Sequence, residues 1–205
     1  MLAGMNSPEF FVAQEDTYGD FDMMAEAALE WDIRYEQAGA GAFSGRMTQV
    51  VLSSLQLGRV RWSPGILEHG AAPHGSWVVA LPVAAEGSLH LRGRPISIGQ
   101  ALFVPAGEDI VFAANGQTDL MVTALHTSQI EHWMQVRRGI DGIDQGQLIS
   151  SSTIANHGNA ERTLVLKETL DVLMDQGHGA SPELLTTAQS LVLDTVLGTV
   201  PSFEA

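Results

Sequence analysis

The chain has 205 residues, 45 % apolar and 17 % charged, which supports a packed core and excludes a disordered or fibrous polymer. Its net charge is −14 with only 10 lysines and arginines, so these residues alone lack the basic surface that nucleic-acid binding draws on. With no cysteine, disulfides, thiolate metal sites and a cysteine nucleophile are excluded, and a cytoplasmic location is expected.

The first periodic stretch is "GDFDMMAEAALEWD", residues 19–32. Phe21, Met24, Ala25, Ala28 and Leu29 recur at helical spacing, and Asp20 or Asp22 can cap the free amides, so a short amphipathic helix is predicted. "AGAGAFSG" at 38–45 reads as a turn; its order after a helix and before a strand is wrong for phosphate binding.

From residue 43 the pattern becomes that of short strands. "MTQVVLSSLQLGRVRW", "SWVVALPV", "GSLHLRG", "RPISIG", "ALFVPA", "DIVFAA" and "LMVTALH" follow one another with Gly, Pro, Asn or Asp at most joins. Such spacing indicates an antiparallel sandwich or small barrel, with Pro82 and Pro95 at edges or bulges. The longest apolar run, "WVVALPVAA" at 77–85, is too short to span a bilayer, and the N-terminus shows no signal-peptide pattern.

Helical periodicity returns in "SQIEHWMQVRRG", where Ser128 and Glu131 have capping-box spacing. A polar connection, residues 141–159, leads to a helical hairpin. In its first arm Leu166, Leu170, Leu173 and Met174 share a face; Ser181 and Pro182 open the second, which repeats Leu184, Leu185, Ala188, Leu191 and Val192. The stripe suits either an intramolecular core or a dimer seam. Two units are expected: residues 1–158, the barrel with its N-terminal helix, and residues 159–205, the hairpin.

One motif bears on chemistry. Gly99, Pro105 and Gly107, spaced Gly-x5-Pro-x-Gly after a strand pattern, resemble the second motif of the cupin superfamily. The resemblance implies a mainly β fold with α-helices, a cupin-like double-stranded β-helix barrel preceded by a short helix and followed by an α-helical hairpin. In metal-binding cupins a histidine stands three residues after the last glycine and an asparagine follows; here the positions hold Ile110 and Ala114. Counting back from Gly87, the first-motif glutamate position is Ala80, and the two histidine positions are Ser76 and His74. A catalytic metal needs about three protein ligands, so no metal and no cofactor is expected. The other histidines, His69, His90, His126, His132, His157 and His178, show no metal-binding spacing.

A longer resemblance runs through Phe21, Asp22, Ala25, Trp31, Tyr35, Gln37, Gly41, Phe43 and Gly45 and continues into "LQLGRVRW", "GAAPHGSWVVALP" and "GQALFVPAGEDI". It is similar to the sensor domain of AraC-type transcription regulators. That family implies a barrel that binds an effector, a helical linker that dimerises, and a C-terminal pair of helix-turn-helix units. No recognition-helix pattern occurs in these residues, so an isolated sensor and dimerisation portion is expected, touching DNA only through a region absent here.

On this reading the partners are a small-molecule effector and a second copy of the chain, with no membrane. His74, Ser76, Ala80 and Ile110 are the candidate pocket positions, Trp62 and Trp77 candidate apolar walls, and Arg61 a candidate anchor for a carboxylate. Leu166, Leu170, Leu173, Leu184 and Leu191 are the candidate dimer seam. Two alternatives stay open: a metal-dependent cupin enzyme (isomerase or dioxygenase), and a dimerisation module without a small-molecule ligand.

Overall fold

A computed structural model describes residues 11–138, 153–154 and 159–197. Strands β1 (Phe11–Tyr18), β3 (Ser44–Leu52), β4 (Leu55–Ser63), β11 (Thr118–His126), β6 (Ser76–Ala85), β9 (Ala101–Val104) and β12 (Thr153–Ile154) pair in that order as a seven-stranded antiparallel sheet. A five-stranded sheet follows the order β2 (Asp32–Gln37), β5 (Ile66–Ala71), β10 (Ile110–Ala114), β7 (Leu89–Leu91) and β8 (Arg94–Ile96). The two sheets face each other as the cupin-like barrel that the motif implies.

Strand alternation divides the buried residues into two clusters on opposite faces of the large sheet. Met47, Trp62, Val78, Ala80, Leu102, Val104 and Leu120 point toward the small sheet and meet Tyr35, Ile66, Ile110, Phe112 and Ala114. Val50, Leu57, Trp77, Val79, Leu81, Met121 and Leu125 point the other way, toward helices. These helices are α2 (Thr127–Arg138), α3 (Asn159–Gln176) and α4 (Pro182–Leu197). The result is three layers: helices, large sheet, small sheet.

The cupin-like turn has a clear backbone cause. Gly99 and Gly107 adopt φ of +90° and +80°, conformations that side chains disfavour, and they bracket β9 so that it leaves one corner and delivers Ile110 to the next. Pro82 sits on a central strand, at the register shift opposite Asp119 and Leu120, and Pro95 lies on the edge strand β8. Both therefore occupy places where a missing ladder donor is tolerated.

The helix predicted at 19–32 is only one and a half turns, α1 (Phe21–Glu26), capped by Asp20 Oδ1, which accepts from the amides of Asp22 (2.8 Å) and Met23 (3.2 Å). The chain then turns at Glu30, whose φ is +67°, and runs into β2. Neither β1 nor β2 is evident from the sequence pattern: β1 is a polar edge strand, and the alternation of "DIRYEQ" is masked by the helical pattern before it. Helix α2 begins at Thr127, ahead of the predicted Ser128 cap. The Ser128 amide donates to His126 Nδ1 at 3.3 Å, and the Thr127 hydroxyl donates to the Gly75 carbonyl at 2.7 Å.

The hairpin packs on the sheet of its own chain. Leu166, Leu170 and Leu173 of α3 and Leu185, Ala188, Val192 and Val196 of α4 are buried against it. Three of the five candidate seam leucines thus belong to an intramolecular core; Leu184 is half-buried and Leu191 is 44 % exposed. Trp133 Nε1 on α2 donates to Asp194 on α4 at 2.6 Å, and Arg59 forms a two-pronged pair with Asp119 (2.9 and 2.6 Å) across β4 and β11. The second arm starts as predicted: the Leu184 amide donates to Ser181 Oγ at 3.3 Å, with Pro182 in first position. Ser181→Ala is expected to cost about 1 kcal/mol in chemical denaturation. The connection at 141–159, with His157, lies largely outside the described residues.

Candidate functional site

A cavity of about 70 Å³ lies between the sheets at one end of the barrel. The large sheet contributes Met47, Gln49, Gln56, Val60, Val122 and Ala124; the small sheet contributes Ile33, Tyr35 and Glu68. Ala28 and Trp31, from the turn after α1, roof it on one side. Two glutamines from the large sheet hold that turn in place. Gln49 Nε2 donates to the Ala27 carbonyl at 2.7 Å. Gln56 Nε2 donates to the Leu29 carbonyl and to Glu30 Oε2, both at 3.1 Å, while its Oε1 accepts from Trp31 Nε1 at 2.7 Å. Buried amides with partners on a loop fix that loop far better than apolar contact would, because breaking them strands polar groups.

Glu68 is the unusual residue. In register it lies between Tyr35 on β2 and Phe112 on β10, so one carboxyl interrupts a row of aromatic side chains. No described residue donates a hydrogen bond or offers an ion pair to it. Removal from water without a compensating charge disfavours the ionised form, and burial lifts its pKa from 4.5 to about 7. What accessible surface it keeps opens on the cavity. Tyr35, beside it, is held well above the usual phenol range, first by burial and second by the Glu68 charge. Trp62 packs behind this row, 6.2 Å from the Tyr35 ring and edge-on to Phe112 at 6.3 Å, with a buried Nε1–H that has no partner.

The candidate residues fall in different places. Ser76, Ala80 and Ile110 are buried on the barrel side, and Trp62 is part of its wall. His74 is exposed in the turn before β6, where it lines an open groove of about 380 Å³ with Glu30, Ser76 and His126. That groove adjoins the cavity at Gln56 and Ala124. Trp77 faces the helices instead, its ring tilted against Phe103 (5.0 Å) and its Nε1 donating to Thr127 Oγ1 at 3.2 Å. Arg61, between inward-facing Val60 and Trp62, lies on the outer side with Arg46, away from the cavity. Among the described residues no three histidines, aspartates or glutamates gather in a way that could hold a metal ion.

The sequence reading missed Glu68, Tyr35, Trp31, Gln49 and Gln56. The available signal was parity: in "ILEHGA" the glutamate shares a face with buried Ile66, which is informative only once the strand is recognised.

No family model matches the chain, and no curated protein matches it. Solved structures do. The AraC-like transcriptional activator CuxR is similar over 90 % of this chain and 70 % of its own, with a TM-score of 0.57 at 13 % identity. Smaller portions resemble an RmlC-like cupin from Shewanella frigidimarina (TM-score 0.33, 19 % identity, 46 % of this chain and 84 % of that one) and an oxalate decarboxylase variant from Bacillus subtilis (0.33, 16 %, 48 % and 28 %). At 13 % identity the likeness to CuxR is one of fold alone. Among the described residues no helix is long and apolar enough to cross a membrane.

Proposed function

We propose that this chain is the effector-sensing portion of an AraC-like transcription regulator, binding a small molecule between its two sheets. The observation that carries this reading is the cavity around Glu68, roofed by a turn that two buried glutamines tether, within a fold shared with such an activator over most of the chain. A carboxyl left without a partner costs stability, and sites of that kind are commonly functional. The net charge of −14 fits a portion that leaves DNA contact to helix-turn-helix units outside these residues. In this reading dimerisation draws on hairpin surface that the intramolecular core leaves free, where Leu164, Val172 and Leu191 are exposed.

The barrel and hairpin can communicate because they share the large sheet. An effector that favours one packing of the sheet over another shifts the helices by its differential affinity. The test is a thermal-shift screen of this chain against a metabolite library. At least one compound is expected to raise the melting temperature, since a ligand that binds only the folded state must do so. Val122→Phe, which fills the cavity, is expected to abolish the shift. A library without a single stabilising compound would remove the reading.

A further inference from the structure

Resting on that reading, we infer that the effector is a small organic ammonium compound whose charged nitrogen pairs with the Glu68 carboxylate inside the barrel. Three observations converge. The charge of the cavity lining is negative: Glu68 is there, and no lysine, arginine or histidine is. Two aromatic side chains, Trp31 and Tyr35, border the same space and can flank a cation with their ring faces. The amide donors of Gln49 and Gln56 are engaged by the tethered turn, so besides the Tyr35 hydroxyl, which can donate or accept, the polar atoms left to a ligand are the Gln49 carbonyl oxygen and the ionised Glu68 carboxylate, both acceptors. A ligand rich in donors matches this set; a carboxylate or phosphate does not.

The size of the space sets the rest. About 70 Å³ is under half of the roughly 150 Å³ cavity that admits benzene. The buried part of the ligand is therefore an ammonium group with a short aliphatic stem, and anything longer extends through the opening toward the groove beside Gln56.

The titration follows from the surroundings of Glu68. Tyr35 on β2 is its titratable neighbour; β10 presents Phe112, and across the cavity β3 and β4 present neutral Gln49 and Gln56. Glu30 and Asp32, both exposed, are the carboxylates nearest in the chain to the roof. With the carboxyl near 7 in the free protein, an ammonium ligand binds the ionised form, so affinity is expected to rise about tenfold between pH 6 and pH 8.

The experiment compares n-butylamine, n-butanol and butyrate, a cation, a neutral molecule and an anion of similar shape, at matched millimolar concentrations. Thermal shift and calorimetric titration are run on the full chain and on Glu68→Gln. The expected result is stabilisation by n-butylamine alone, at least tenfold weaker in Glu68→Gln, and tightening with pH in the unmodified chain. Equal stabilisation by n-butanol or butyrate overturns the inference. So does an n-butylamine effect that survives Glu68→Gln or lacks the pH dependence. If none of the three binds while a library compound binds and is blocked by Val122→Phe, the ammonium assignment falls and the sensor reading stands. If the library is also silent, the sensor reading falls with it.

Discussion

Glu68→Gln is expected to make the protein more stable at pH 8, by about 3 kcal/mol. The carboxyl titrates near 7 in the folded chain and at 4.5 when unfolded, so the folded state binds its proton more tightly. The stability linked to that proton is fully present below pH 4.5, declines as pH rises, and is lost above 7. Glutamine keeps the shape without the charge and escapes the penalty. For a chain of this size the difference corresponds to roughly 6–12 °C in melting temperature. The gap between the two proteins should narrow steadily on going down to pH 5.5. Superimposable melting curves at pH 8 would mean that the carboxyl is well solvated, contrary to its place between Tyr35 and Phe112. A stability cost of this kind at the wall of a cavity supports the binding function proposed above.

The second large effect lies in the hairpin. Leu170→Ala is expected to lower stability by about 2–5 kcal/mol in urea denaturation, because the side chain is 2 % exposed and sits among Leu166, Leu173 and the outer face of the large sheet. Leu191→Ala, at 44 % exposure, should change it by under about 1 kcal/mol. Sedimentation adds a separate readout. Leu191→Asp is expected to weaken self-association while leaving the melting temperature nearly unchanged, as a contact outside the intramolecular core requires. A Leu191→Asp protein that associates as before would move the contact between copies to another surface.

Much of this architecture is legible in the sequence, and the limits have physical causes. The turn chemistry of Gly99, Pro105 and Gly107 locates a barrel corner because only special backbone conformations fit there. Ser181 and Pro182 locate the start of α4 for a similar reason: the local chemistry determines the local structure. The hairpin stripe is equally visible, yet its destination is not, since a leucine row looks the same whether it meets a sheet or a second chain. Side-chain direction is harder still. Arg61 and Trp62 are adjacent, and parity sends one outward and the other into the barrel wall. The same uncertainty placed Trp77 among the pocket candidates although it faces the helices. The cavity itself was out of reach, because Tyr35 and Glu68 come from strands without strong patterns and meet only through sheet pairing.

The alternation along β6 and β11 has a mechanical consequence. Ala80 and Leu81, Val122 and Met121, and Ala124 and Leu125 are chain neighbours that serve opposite compartments. A single peptide unit therefore separates the room where a ligand would lie from the floor on which the hairpin rests. For the sensing proposed above, no relay of side chains across the molecule would be required, and no hinge: a strand pushed outward by a ligand would press directly on the helices. Under the proposed function the large sheet would act as a diaphragm, and what it passed on would depend on its stiffness.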